Sequence, residues 1–137
     1  MKMGGYRVLD LSLFLPGPML TQMLADHGAE VIKIDPTGAG EPVRNVSYRS
    51  GGQSVWFRNT HRGKKSVVLN LKDQDDFGVF LKLCKTADVL VEAFWPGVVE
   101  RLDIGPDALR ALNPRLMNAS ISAFGQTGLE AHRPAMI

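Results

Sequence analysis

Six basic side chains fall beside the glycine- and proline-rich stretches of this sequence. Arg44 closes TGAGEPVR, Arg62, Lys64 and Lys65 lead into SVVLNL, Lys72 follows it, and Arg101 comes just after FWPG. Guanidinium clamps a phosphate through two parallel hydrogen bonds, and ammonium meets it as a point charge. Cations spaced in this way either converge on a ligand with several separated phosphates or stand singly as solvated surface charges. Asp35, ending EVIKID, occupies the place of the ribose-binding carboxylate of a nicotinamide-binding fold, although an acid at a strand end is common. The dinucleotide fingerprint G-x-G-x-x-G is absent: LPGPM offers one glycine between two prolines, and Pro18 has no amide to donate. The phosphate cradle that ends in lysine is absent too. His27, His61 and His132 are scattered, and Cys84 shares a helical face with Phe77 and Phe80, which assigns it to packing.

The elements that must position these groups alternate. YRVLDLS reads as a strand broken by LPGP, after which Leu20, Met23, Leu24 and His27 recur at helical spacing until Gly28 supplies a cap. EVIKID and KSVVLNL read as the second and third strands, with a polar connection holding Trp56 and Phe57 between them. Asp73 caps a helix through QDDFGVFLKLCKTA, with acids in its first turn and lysines towards its end, as the helix dipole prefers. VLVEAF is the fourth strand, PGVVERLDIGPDALRALNP holds one or two short helices with Pro106 at a helix start, and RLMNASISAF is the fifth strand. Strands and helices in this alternation predict an α/β fold: an open, mostly parallel sheet with helices on both faces. Ligands of such sheets bind beyond the carboxyl ends of the strands, where SLFLPGP, DPTGAGEPVR, NLKD, EAFWPG and SAFGQTG all fall.

Composition narrows the classes of partner. With 137 residues, 45% of them hydrophobic, the chain is long enough for one domain. Sixteen basic and 14 acidic residues give a net charge of +2, too balanced for an electrostatic footprint on nucleic acid or on a membrane. No apolar run approaches a membrane span, the start lacks a cleavage pattern, and a single cysteine makes no disulfide, so a cytoplasmic location is expected.

Five segments in order and spacing, VLDLSLFLPGP, LADHGAEVIKID, GKKSVVLNLKD, ADVLVEAFWPGVVERLDIGPDALRALNPRL and SISAFGQTG, resemble the class III coenzyme A transferases. That family includes formyl-CoA transferase, carnitine CoA-transferase and the α-methylacyl-CoA racemases. The resemblance implies a Rossmann-like sheet, a homodimer of interlocked subunits, coenzyme A or acyl-CoA as substrate together with a carboxylic acid, and no metal. It implies that Phe14 and Pro16 line the CoA channel, that Leu69 and Lys72 meet the nucleotide end, and that Phe94, Val98 and Arg101 continue the wall. Arg44 would join the later basic residues in gripping the 3′-phosphate and pyrophosphate. Pro36 and Ala93 stand where many relatives place arginine and asparagine, and Arg44 is the electrostatic substitute for the first.

Transferases of this family use an aspartate that attacks the acyl-CoA to form a mixed anhydride, and the resemblance places that aspartate beyond Ile137. No catalytic residue is therefore assigned within the chain. Residues 1–137 are expected to be the N-terminal CoA-binding segment of a larger family domain, associating with a missing C-terminal segment or with a second copy. A shortened, catalytically inert CoA-binding or interaction module is the alternative. An isolated chain of this kind is expected to expose apolar surface and to self-associate. The racemase branch would need a histidine after the Arg133–Pro134 region, where the chain reads Met136 and Ile137.

Overall fold

The computed structural model describes residues 1–133. Its elements run β1 (Arg7–Asp10), α1 (Pro16–Asp26), β2 (Glu30–Asp35), a 3-10 turn (Pro42–Asn45), β3 (Arg49–Ser50), β4 (Gln53–Ser54) and α2 (Val55–His61). They continue with β5 (Lys65–Val68), α3 (Gln74–Thr86), β6 (Val89–Glu92), α4 (Val98–Arg101), α5 (Pro106–Leu112) and β7 (Met117–Ser120). Five strands form one all-parallel sheet in the order β5-β2-β1-β6-β7, with Val8 opposite Val31 and Val89 and with Leu90 opposite Asn118. The chain winds outward from β1 in one direction and then returns to lay β6 on its other side. The carboxyl ends of β1 and β6 therefore flank the crevice where the topology reverses.

The two faces of the sheet are different in kind. Leu9, Ile34 and Leu90 project into an apolar layer completed by Phe80 and Cys84 of α3, by Leu109 of α5 and by Ile104 just before it. Burial pushes the Cys84 thiol up to about 12, which leaves it inert and confirms it as packing. Asp73 caps α3 as its sequence predicts, its Oδ1 accepting from the amides of Asp75 at 3.0 Å and Asp76 at 3.1 Å. On the opposite face Val8, Val31 and Val91 pack with Leu24 and Ala25 of α1, but the strands carry Asp10, Lys33 and Asp35 nearer their carboxyl ends.

That polar half explains a departure in α1. Of the repeat Leu20, Met23, Leu24 and His27, only Leu24 packs against the sheet; Leu20 and Met23 lie outward, 40% and 52% exposed, as does Met19 at 47%. The buried positions are Gly17, Pro18, Thr21 and Gln22, small or hydrogen-bonding residues that suit a polar floor. The helix also begins at Pro16, earlier than its apolar repeat indicates, because proline is favoured in the first turn. Elsewhere the sequence overextends the strands. KSVVLNL is strand only through Val68, since Asn70 turns the chain, its carbonyl accepting from Asp73 N–H at 2.9 Å. The connection holding Trp56 and Phe57 is a short hairpin of β3 and β4 followed by α2, whose cap is the Ser54 hydroxyl accepting from Phe57 N–H at 3.2 Å.

Candidate functional site

The chain leaves β1 at Asp10 and enters the first loop over a buried polar cluster. Asp10 Oδ1 accepts from the Ser12 amide at 3.0 Å and the Ser12 hydroxyl at 2.5 Å. Its Oδ2 accepts from the Thr21 hydroxyl at 2.6 Å and from Lys64 Nζ at 2.9 Å. Lys64 also donates to the Pro18 carbonyl at 2.8 Å, so one ammonium ties α1 to β1. Burial alone would push Asp10 up; Lys33, Lys64 and the two hydroxyls outweigh it and hold the carboxyl below its ordinary value of 3.8. Burial pulls Lys64 below its ordinary 10.5, against the opposing pull of Asp10.

Beside this pair lies Lys33, which donates to the Ser12 carbonyl and stands 3.2 Å from Glu41 Oε2. Glu41 belongs to the second loop, yet its Oε1 accepts from the Phe14 amide of the first at 2.9 Å. Burial would raise the Glu41 carboxyl, but His61, the Phe14 amide and Lys33 hold it below the ordinary 4.5. Both depressed carboxylates act in the same direction on pH dependence. The unfolded chain binds protons at Asp10 and Glu41 more readily than the folded chain, so their stabilisation is present above the unfolded values of 3.8 and 4.5. It is lost as pH falls through the lower folded values. Urea midpoints measured from pH 7 downward should hold nearly level until the ordinary carboxylate range and then drop; in Asp10→Asn the drop should be shallower.

The six basic residues do not converge on one rim. Lys64 is buried against Asp10; Lys65 meets Glu30 at 2.6 Å at the amino end of the sheet; Arg62 meets Asp26 at 2.6 Å at the last turn of α1. Each pairing joins residues distant in sequence, which no local pattern announces. Arg44 is half-buried, with Nη2 2.7 Å from Asp35 Oδ2 and its guanidinium 4.0 Å above the Phe57 ring. Asp35 is thereby committed to Arg44 and to the Ser66 hydroxyl at 2.7 Å. Among the described residues Lys72 and Arg101 form no ion pair. Lys72 is exposed in the turn after β5, and Arg101 is exposed at the end of α4.

Above the cluster, at the reversal between β1 and β6, opens a cavity of about 620 Å³. Phe14 and Pro16 line it from the first loop, Phe94 and Val98 from the segment after β6. Four of the residues singled out in the sequence thus share one wall. Leu69 does not join them: its side chain is 5% exposed and packs in the apolar layer with Leu9 and Phe80. Arg44, Lys72 and Arg101 also lie outside the lining. Trp56, whose indole Nε1 is buried without a hydrogen-bond partner among the described residues, also lines the cavity and was not singled out in the sequence; Trp95 and Phe124 join it from EAFWPG and SAFGQTG, segments expected at the carboxyl ends of the strands. The start of α1 offers little to an anion, since Pro16 and Pro18 lack amides and the Met19 amide is bonded to Leu15 at 2.9 Å.

A parallel sheet in this order, with an apolar cavity at its reversal, is shared by many ligand-binding folds; the relation to known proteins selects among them. The sequence model of CoA-transferase family III matches residues 3–136. The chain belongs to CoA-transferase family III. It is 49% identical over 131 residues to acetyl-CoA:oxalate CoA-transferase of Acetobacter aceti, covering 96% of this chain and 34% of that protein. It is 40% identical to human alpha-methylacyl-CoA racemase over 128 residues, 93% of this chain and 30% of that one. The crystal structure of Rv3272 from M. tuberculosis in its orthorhombic form superimposes with a TM-score of 0.89 at 40% identity, covering 97% of this chain and 38% of that chain. The chain spans about a third of the length of the relatives it matches. Among the described residues, no helix is long and apolar enough to cross a membrane.

Proposed function

We propose that this family III chain supplies the coenzyme A-holding part of a transferase that moves CoA between carboxylic acids. The observation that carries the reading is the cavity, which gathers Phe14, Pro16, Phe94 and Val98 at the topological switch point. Aromatic and aliphatic walls suit the pantetheine arm and purine, while Lys72 and Arg101, uncommitted to carboxylates among the described residues, lie outside the lining as partners for phosphate. The name of the A. aceti relative, an acetyl-CoA:oxalate CoA-transferase, supports the same class of substrates.

The chemistry requires a carboxylate whose oxygen bonds to the acyl carbon as the carbon–sulfur bond breaks and the CoA thiolate departs, leaving a mixed anhydride. None of the four buried acids among the described residues lines the cavity, and all four are unsuited to that attack. Asp10, Asp35 and Glu41 are held by cations, and Glu92 accepts from Phe94 N–H at 2.7 Å and from the Ser120 hydroxyl. The nucleophilic aspartate is accordingly proposed to lie outside these 137 residues, as the family resemblance implies. A racemase would instead exchange the proton next to the thioester through a histidine and an acid. Identity with the human racemase keeps that activity in view, but no histidine lines the cavity among the described residues.

Calorimetric titration of the chain with CoA and with 3′-dephospho-CoA at low salt tests the proposal. CoA should bind saturably, more weakly without its 3′-phosphate, and about tenfold more weakly in Arg101→Ala, the scale of one lost charge-assisted hydrogen bond. Heat from neither ligand, with the chain shown to be folded, would remove the reading for this chain.

A further inference from the structure

Phe14 lines the cavity from a backbone conformation that its side chain disfavours, with φ of 64° in the left-handed region. Such a residue persists only where its surroundings impose the conformation. The loop that carries it has no sheet partner at that point, and the residue is 46% exposed, so packing alone does not impose it. One fixed contact on its backbone is the bond from its amide to Glu41 Oε1 at 2.9 Å, a carboxylate 27 residues away.

Glu41 is itself fully buried and held from several sides. Its Oε1 also caps its own 3-10 turn through the Val43 amide at 3.5 Å. Its Oε2 faces Lys33 Nζ from β2 at 3.2 Å and His61 Nε2 from α2 at 3.8 Å. The His61 ring stacks on Phe57 with centroids 4.4 Å apart, and the Arg44 guanidinium lies over the same Phe57 ring with its charge on Asp35. The second loop is thus pinned at Arg44 and at Glu41, and Glu41 passes that fixed position to the first loop.

We propose that Glu41 is the positioning residue of the cavity: by holding the Phe14 amide it fixes Phe14 in its left-handed conformation and so sets the place of the ring against a bound ligand. Glu41 touches no ligand in this account and acts through Phe14. The affinity part of the inference rests on the coenzyme A reading; the geometric part does not.

The test separates the two. Amide hydrogen exchange of the chain by NMR should show Phe14 N–H protected although it lies in an exposed loop. Rapid exchange at Phe14 in a chain whose β1 amides are protected would overturn the inference, whether or not CoA binds. Glu41→Ala should release that protection and weaken CoA binding about tenfold. Glu41→Gln keeps a carbonyl oxygen for the Phe14 amide while removing the charge that faces Lys33, so it should retain protection and most of the affinity while lowering the urea midpoint. Loss of Phe14 protection and affinity in Glu41→Gln equal to that in Glu41→Ala would assign Glu41 to charge balance alone and would overturn the positioning role. Should Glu41→Ala fail to fold, exchange in the unaltered chain and in Glu41→Gln decides the matter. Protection of Phe14 with no binding of CoA by the unaltered chain would leave the geometry supported and remove the coenzyme A reading instead.

Discussion

Lys64→Met is expected to cost the fold about 3 to 5 kcal/mol, the scale measured when one partner of a buried ion pair is removed. The Lys64 side chain is 2% exposed and that of Asp10 is wholly buried, so water cannot replace the lost ammonium. Asp10 would keep its bonds from Ser12 and Thr21, and Lys33 would remain nearby, but the tie from α1 through the Pro18 carbonyl would be gone. A domain of this size is stable by only about 5–15 kcal/mol, so the change should be plain in a urea titration. Replacing both partners, as Asp10→Asn with Lys64→Met, should recover part of the loss, because no uncompensated charge then stays buried. Equal midpoints for the single variant and the unaltered chain would mean that the pair is not buried in solution.

Gly17→Ala is the second large effect expected. A Cβ on Gly17 would stand 2.1 Å from Ser12 Oγ and 2.2 Å from Ser12 Cβ, well inside any real contact. Ser12 cannot swing clear, for its Cβ is fixed to the backbone and its hydroxyl is committed to Asp10. Helix α1 must therefore lift from the end of β1, at a cost of about 3 kcal/mol, the upper part of the range for overpacked cores. The same substitution in a Ser12→Gly background should cost far less, and a coupling energy near zero in that double-mutant cycle would refute the close approach.

Both effects arise where local pattern is least informative. The cap at Asp73, the core face of α3 and the five strands are legible because each depends on neighbours a few residues away. The partners of Lys64, Asp10 and Lys33 lie 54 and 21 residues off, and nothing in EVIKID distinguishes a lysine that turns inward from one that faces water. The same holds for α1. Its Leu20, Met23 and Leu24 satisfy a helical apolar period, yet only Leu24 meets the apolar part of the sheet; the rest of the ground beneath the helix is polar and takes Thr21 and Gln22 instead. For the site, the resemblance to a family implied that Phe14 and Pro16 line a channel, that Leu69 and Lys72 meet its nucleotide end and that Phe94, Val98 and Arg101 continue the wall; Phe14, Pro16, Phe94 and Val98 line the cavity, whereas Leu69, Lys72 and Arg101 lie outside its lining. Trp56 escaped because α2 is short and interleaves aromatic with basic and amide side chains, which reads as a loop.

The pairing of Arg44, Arg62, Lys64 and Lys65 with carboxylates also bears on how fast a ligand arrives. Where positive charges are locally cancelled, little field projects into solution, and these four residues do little to draw in a polyanion from a distance. Under the coenzyme A reading, added salt should consequently slow association only slightly, and the lifetime of the bound state should carry most of any difference in affinity between ligands.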